Sequence, residues 1–139
     1  MVEKYVSRAL MLSNSGYNCC QATLCCFKEL LETEEIELYK LGEAFGRGMG
    51  NYEGICGAIS GTLLALSSLF SNGNHYETSK ENTYRIATNL IETFREKNGS
   101  TVCKELLGIE TNKVLRSCIG CIEDAVTIAC KIIERERNE

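Results

Sequence analysis

The chain has 139 residues, nine cysteines and no proline, and its 15 Lys and Arg against 19 Asp and Glu give a formal net charge of −4. This length fits a single domain over residues 1–139 with a real core. The absence of proline suits long helices, because proline removes a backbone donor and clashes with the preceding turn. The basic residues are scattered, which argues against nucleic acid as a partner, since phosphate binding needs a concentrated positive surface.

Membrane insertion and secretion are also disfavoured. The longest uncharged apolar run, over 55–70, is shorter than the ~20 residues that a helix needs to cross a bilayer. The segment 1–15 carries charged side chains and lacks the apolar stretch of a signal peptide. We therefore expect a cytoplasmic protein, in which cysteines serve metal ligation, redox chemistry or burial rather than a static disulfide framework.

The first half of the chain is predicted to form three helices and a glycine-rich turn. The first helix covers about 2–12. The second begins near Asn18 and carries one apolar stripe, made of Cys20, Leu24, Phe27 and Leu31. The third is capped by Thr33 and runs over about 34–45 into the turn 46–50.

The second half is predicted to contain an apolar central helix over about 56–70, a helix over about 77–97, a helical turn over 103–107 and a last helix over about 114–135. In the central helix, Gly57 and Gly61 share one face and would let a neighbouring helix approach closely. The last helix has the clearest stripe: Leu115, Ile119, Ile122, Val126, Ala129 and Ile133. These elements predict an all-α fold, a single-domain bundle of about five to six helices.

Four cysteines lie at or near the predicted helix starts: Cys19, Cys56, Cys103 and Cys118. Free backbone N–H groups and the positive end of the helix dipole stabilise a thiolate there and lower the cysteine pKa from about 8.5. Because the thiolate is both the nucleophile and the metal ligand, these four are the candidate functional cysteines.

Of the other five cysteines, one lies close to Cys118 in the sequence and four are predicted to pack in the core. Cys121 follows Cys118 in a Cys-Ile-Gly-Cys segment, a spacing that allows a reversible disulfide or two ligands to one metal. Zinc-finger patterns are absent, since His75 is the only histidine and lies in a polar segment. Plain packing as small hydrophobes is predicted for the remaining four: Cys20, Cys25, Cys26 and Cys130.

Five segments, read in order, resemble the C_GCAxxG_C_C family: GYNCCQA at 16–22, GRGMG at 46–50, GICGAISG at 54–61, STVCKELLG at 100–108 and CIGCIEDAV at 118–126. The resemblance spans roughly 16–129 and implies a redox-active protein. By residue matching, the four characteristic cysteines of the family would be Cys19, Cys56, Cys103 and Cys118. This chain also has Cys20 and Cys121 where the family commonly has other residues, which raises the hypothesis of an additional local dithiol.

Three functions remain open at this point. The first is a redox protein in which two or more of the four thiolates converge, one attacking and another resolving, with Cys121 able to serve Cys118, and with a redox partner that the sequence does not identify. The second is an iron–sulfur or zinc protein whose ligands are the same four cysteines. The third is a non-enzymatic oligomerisation module, a homodimer formed through the face of Gly57 and Gly61.

Overall fold

The computed structural model describes residues 1–138, and within that range it contains eight α-helices and no β-strand. The all-α prediction is confirmed, whereas the number of helices exceeds the expected five to six. The helices are α1 Val2–Asn14, α2 Cys19–Cys25, α3 Lys28–Leu31, α4 Glu35–Gly42, α5 Gly57–Phe70, α6 Lys80–Asn98, α7 Cys103–Leu107 and α8 Cys118–Arg137.

The segment Gly46–Met49 has helical hydrogen bonding but is better described as a turn. Arg47 and Gly48 have φ values of 60° and 58°, in the left-handed region that interrupts a right-handed helix. The glycine-rich turn predicted at 46–50 is therefore confirmed.

One extra helix arises because the predicted second helix is broken at Cys26 and Phe27. The Phe27 N–H donates to the Leu24 carbonyl, a tightened turn that ends α2, and α3 restarts with Phe27 as its N-cap. The break leaves Phe27 fully buried, stacked on Tyr5 with ring centroids 5.0 Å apart. The apolar stripe was thus a correct guide to the core, although it does not lie on one continuous helix.

One predicted cap and two predicted helix starts are wrong. Helix α6 begins at Lys80 rather than near 77. The Thr33 hydroxyl donates to the Leu31 carbonyl instead of capping α4, which begins at Glu35. The last helix begins at Cys118 rather than near 114, because the Ser117 side chain caps it by accepting from the Gly120 N–H. Two members of the predicted stripe lie outside the core: Leu115, which precedes the helix, and Ile119, which is exposed in its first turn.

The apolar helix α5 lies at the centre and packs against α2, α6 and α8. The close approach predicted at its glycine face is confirmed: at Gly61 an added Cβ would overlap the Thr23 hydroxyl of α2, and at Gly57 it would overlap the Cys19 sulfur. Because α2 of the same chain fills this face, dimerisation through Gly57 and Gly61 is not supported. Within residues 1–138, no helix combines the length and apolar character that a membrane span requires.

Candidate functional site

Five cysteines line one cavity of about 330 Å³: Cys19, Cys56, Cys103, Cys118 and Cys121. They come from four separate segments of the chain, so the fold brings together every cysteine that sequence reasoning proposed for function. Their burial differs. Cys118 is exposed and Cys19 half-buried, whereas the other three are buried. The cavity therefore has thiols at its mouth and thiols in its interior.

Cys19 is held at the start of α2 by a capping box. The Asn18 side chain accepts from the Gln21 N–H at 2.8 Å, and the Gln21 side chain accepts from the Asn18 N–H at 3.0 Å. The Asn18 amide also donates to the Glu43 carbonyl at 2.9 Å, which ties this helix start to the segment after α4. These bonds make Cys19 the first residue of α2.

The left-handed turn at 46–50 forms a second support for the cavity. The Arg47 N–H donates to the Cys19 sulfur. At Gly48, which has a positive φ, an added Cβ would overlap the Cβ of Cys103. The turn therefore stabilises one cysteine electrostatically and makes room for another, a role that its sequence did not indicate.

Cys56 and Cys103 are brought side by side by backbone pairing between the segments before α5 and α7. Ile55 and Val102 form an isolated antiparallel bridge. The Cys56 N–H donates to the Thr101 carbonyl at 2.8 Å, and the Cys103 N–H donates to the Gly54 carbonyl at 3.0 Å. Two cysteines far apart in sequence thus become neighbours at two helix starts.

The start of α8, which carries Cys118 and Cys121, is anchored by a buried carboxylate. The Arg116 guanidinium binds the two oxygens of Asp124 at 3.0 and 3.2 Å. Gly120 leaves the space that the Arg116 side chain occupies, since an added Cβ would overlap it. A side chain at position 120 would therefore displace the Arg116 guanidinium from this place beside Asp124.

Asp124 has two further partners. The Lys97 ammonium donates to it at 2.6 Å and the Asn98 amide at 3.1 Å, so that α6 is also joined to α8. Burial alone would raise the pKa of Asp124, but the hydrogen bonds from Arg116, Lys97 and Asn98 outweigh it and hold that pKa below its ordinary value. The carboxylate is thus ionised and fully partnered, and it was not identified from the sequence.

Cys19 and Cys118 form a hydrogen-bonded pair at the cavity mouth. The Cys118 thiol donates to the Cys19 sulfur, and this bond, opposed by burial and assisted by the N–H groups of Arg47 and Cys20, lowers the pKa of Cys19 to about 6. The same bond, together with burial, raises the pKa of Cys118 above its ordinary value. The pair therefore combines a thiolate with a neutral thiol.

Cys56 and Cys121 form a second hydrogen-bonded pair in the cavity interior. The hydrogen bond that Cys56 makes to Cys121 raises the pKa of Cys56 well above its ordinary value, and burial raises it further. Burial also raises the pKa of Cys103 to about 11. Cys56 and Cys103 thus stay protonated at neutral pH, which sets them apart from Cys19.

The four cysteines predicted to pack in the core do so, and each is fully buried: Cys20, Cys25, Cys26 and Cys130. Burial raises the pKa of Cys20 to about 12 and that of Cys25 to about 11. Cys20 does not line the cavity, and its sulfur lies beside Gly42. The structure therefore places Cys20 away from the cavity that Cys19 lines.

Several cavity residues were missed by sequence reasoning. Leu106 and Ile122 line the cavity because they lie three and four residues beyond Cys103 and Cys118, on the same helix faces. This spacing is the signal that would have identified them. Arg47 and Tyr52 were not missed in this way, because both lie near candidate cysteines in the sequence, although a surface charge was the favoured interpretation of Arg47. Both line the cavity, with the Arg47 guanidinium 5.6 Å from the centre of the Tyr52 ring.

The arrangement does not form a recognisable metal site. Within residues 1–138, no group of three or more His, Cys, Asp or Glu side chains is placed to hold a metal ion. The nine cysteines are free thiols, and four of those in the cavity meet in twos rather than around one point. The iron–sulfur or zinc site predicted from Cys19, Cys56, Cys103 and Cys118 is not confirmed.

The fold and the cavity define an all-helical protein with paired thiols at the starts of its helices. The sequence profile of the family described as "Putative redox-active protein (C_GCAxxG_C_C)" matches residues 17–132, and the chain belongs to that family. The resemblance drawn from the five segments is confirmed. No curated protein and no solved structure gives a significant match to this chain.

Proposed function

We propose that this protein carries out thiol–disulfide exchange, with Cys19 as the attacking thiolate and Cys118 as the resolving thiol. The observation that carries the proposal is that the two cysteines lie together at the mouth of one cavity, Cys19 half-buried and Cys118 exposed. There a hydrogen bond from Cys118 lowers the pKa of Cys19 to about 6. A thiol with that pKa is roughly 90% thiolate at pH 7, against about 3% for an ordinary cysteine with a pKa near 8.5.

The substrate class is a disulfide. The Cys19 thiolate attacks one sulfur of that disulfide, the substrate S–S bond breaks, and the first substrate thiolate is released. Cys19 and the attacked sulfur are then joined in a mixed disulfide. Cys118 then attacks the Cys19 sulfur and displaces the second substrate thiolate, while its proton passes to a released thiolate. Two electrons move from the protein to the substrate, and Cys19 and Cys118 become joined in a disulfide.

Two features of the fold support Cys19 as the nucleophile. Its sulfur accepts from the Arg47 N–H of the left-handed turn. It also lies against Gly57, the first residue of the 14-residue helix α5, where the helix dipole favours negative charge. A side chain at Gly57 would displace the sulfur, so the glycine keeps it at this helix end.

We assign the protein to the cytoplasm, where a reducing environment keeps nine free thiols available for exchange. A static disulfide between Cys19 and Cys118 would remove the nucleophile. The redox partner is therefore a reductant that restores the dithiol after each cycle, and a second dithiol would do so by the same exchange reaction.

The test is to oxidise the reduced protein anaerobically with oxidised glutathione, stop the reaction in acid at short times, alkylate the free thiols and map the peptides. We expect the first disulfide to join Cys19 and Cys118, in the parent chain and in the matched control Cys130→Ala. A first disulfide elsewhere would overturn the proposal. Iron with sulfide, or stoichiometric zinc, in the same anaerobic preparation would favour the metal function instead.

A further inference from the structure

We propose that Cys56 and Cys121 form a second, buried dithiol that exchanges electrons with the Cys19–Cys118 pair, so that one chain reduces two disulfides in succession. The inference rests on the proposed function of the outer pair and extends it. It assigns to the cavity interior the role of an electron store that an external disulfide does not reach directly.

Burial separates the two pairs. Cys56 is 5% exposed and Cys121 is 2% exposed, whereas Cys118 is exposed and Cys19 is half-buried. All four line the same cavity of about 330 Å³. A disulfide attached to a partner molecule meets the outer pair first, and the inner pair has access to that outer pair through the cavity.

Helix α8 connects the two pairs. Cys118 and Cys121 lie three residues apart on one face of this helix, a separation of ~4.5 Å along its axis. Each is hydrogen-bonded to a cysteine from another element: Cys118 to Cys19 of α2, and Cys121 to Cys56 at the start of α5. The pairs are therefore adjacent, one turn apart along the same helix.

Cys56 lies where it can react with members of both pairs. The residue that follows it, Gly57, lies against the Cys19 sulfur. Cys56 also lines the same cavity as Cys118 and Cys121. Its backbone is fixed by the bond to the Thr101 carbonyl. Cys56 therefore lies beside both pairs, as an intermediate in sequential exchange must.

The exchange balances in two steps. Cys56 attacks the Cys19 sulfur of the outer disulfide, the S–S bond to Cys118 breaks, and Cys118 takes up the proton that Cys56 loses. Cys121 then attacks the Cys56 sulfur and displaces Cys19 as a thiolate, while its proton goes to solvent. Cys19 is a favourable leaving group because its thiolate is stabilised by hydrogen bonds. The outer pair is reduced again, and the inner pair holds the disulfide.

The experiment follows disulfide formation in the full-length chain over time, with oxidised glutathione in excess, acid quenching, alkylation and peptide mapping. We expect the Cys19–Cys118 disulfide first and the Cys56–Cys121 disulfide later, with four thiols lost per chain. In Cys19→Ser the inner disulfide should form at least 10-fold more slowly. In Cys121→Ala only two thiols should be lost, and the outer disulfide should accumulate.

The outcomes separate the two proposals. Loss of only two thiols in the parent chain, all from Cys19 and Cys118, would overturn the inner dithiol and leave the proposed function standing. Inner disulfide formation at the parent rate in Cys19→Ser would also overturn the exchange between pairs. Absence of a Cys19–Cys118 disulfide at every time point would overturn the proposed function itself. Cys130→Ala is the control, and circular dichroism establishes that each variant is folded.

Discussion

Cys19 and Cys20 are adjacent at the start of α2, yet the fold gives them opposite properties. Successive helical residues are rotated by ~100°, so Cys19 faces the cavity while Cys20 faces the interior, where it is fully buried. Hydrogen bonds lower the pKa of Cys19 to about 6, whereas burial raises that of Cys20 to about 12. Nearness to a helix start is therefore insufficient to activate a thiol, which must also face donors.

The same contrast extends from these two residues to the two regions that they represent. Four of the five cavity cysteines are paired with other thiols, and Cys103 is the exception. In the core, Cys25 and Cys26 contact the backbone carbonyls of Glu35 and Thr23, at 3.9 and 3.5 Å. A thiol that donates to a carbonyl gains no stabilisation of its thiolate form. The core cysteines therefore serve as apolar packing groups.

The largest expected effect comes from substituting Cys19 but not its neighbour Cys20. In Cys19→Ser, we expect the alkylation rate of the native protein at pH 7 to fall roughly 30-fold, because the exposed Cys118 thiol that remains has about the thiolate fraction of an ordinary cysteine. In Cys20→Ser, the rate should stay within about twofold of the parent. Reaction with iodoacetamide, followed by mass spectrometry, measures both. A fast-reacting thiol remaining in Cys19→Ser would show that Cys19 is not the activated thiol.

The next effect concerns the carboxylate that holds the start of α8. Asp124→Ala removes the partner of Arg116, Lys97 and Asn98, and we expect the free energy of unfolding to fall by about 2–4 kcal/mol. The neighbouring variant Glu123→Ala, whose side chain is half-buried, should change it by less than about 0.5 kcal/mol. Urea unfolding at pH 7 measures both.

The sign of the pH dependence follows from the lowered pKa of Asp124. The stability that this carboxylate contributes is present above its unfolded pKa of about 4 and is lost as the pH falls through the lower folded value. The difference in the free energy of unfolding between the parent and Asp124→Ala should therefore be constant between about pH 6 and pH 8. It should shrink on acidification. A difference that grows below about pH 4 would contradict the role assigned to the ion pair.

A smaller effect tests how much of the activation of Cys19 comes from its partner thiol. Cys118→Ala removes the hydrogen bond that contributes most to the lowered pKa of Cys19. The inflection in the alkylation rate should move from near 6 towards the ordinary value of about 8.5, with a rate at pH 7 that is up to about 10-fold lower. An unchanged inflection would assign the activation to the Arg47 N–H and the helix ends instead.

The smallest effect is expected in the core. Cys130→Ala removes a fully buried sulfur that has no place in the cavity, and should cost about 1 kcal/mol of stability. The alkylation rate and its pH inflection should remain those of the parent chain. If this variant slowed alkylation as much as Cys118→Ala does, the division between cavity and core cysteines would lose its basis.

Much of the fold was predictable because it depends on local patterns. Apolar spacing indicated α1, α5, α6 and α8, and glycines marked the turn at 46–50. The errors fall where a tertiary contact overrides the local pattern. Phe27 ends α2 to reach Tyr5 in the core, and the Ser117 cap delays α8 so that Arg116 can bind Asp124.

By itself, the sequence determined the helical class, the family and the set of cysteines worth testing, because these depend on residue type and spacing along the chain. Only the tertiary structure decided which thiols meet: Cys19 with Cys118, and Cys56 with Cys121. Those partners are separated by 99 and 65 positions in the chain. A thiol pKa depends on atoms within hydrogen-bonding reach, and packing α2, α5 and α8 together is what brings those atoms within reach.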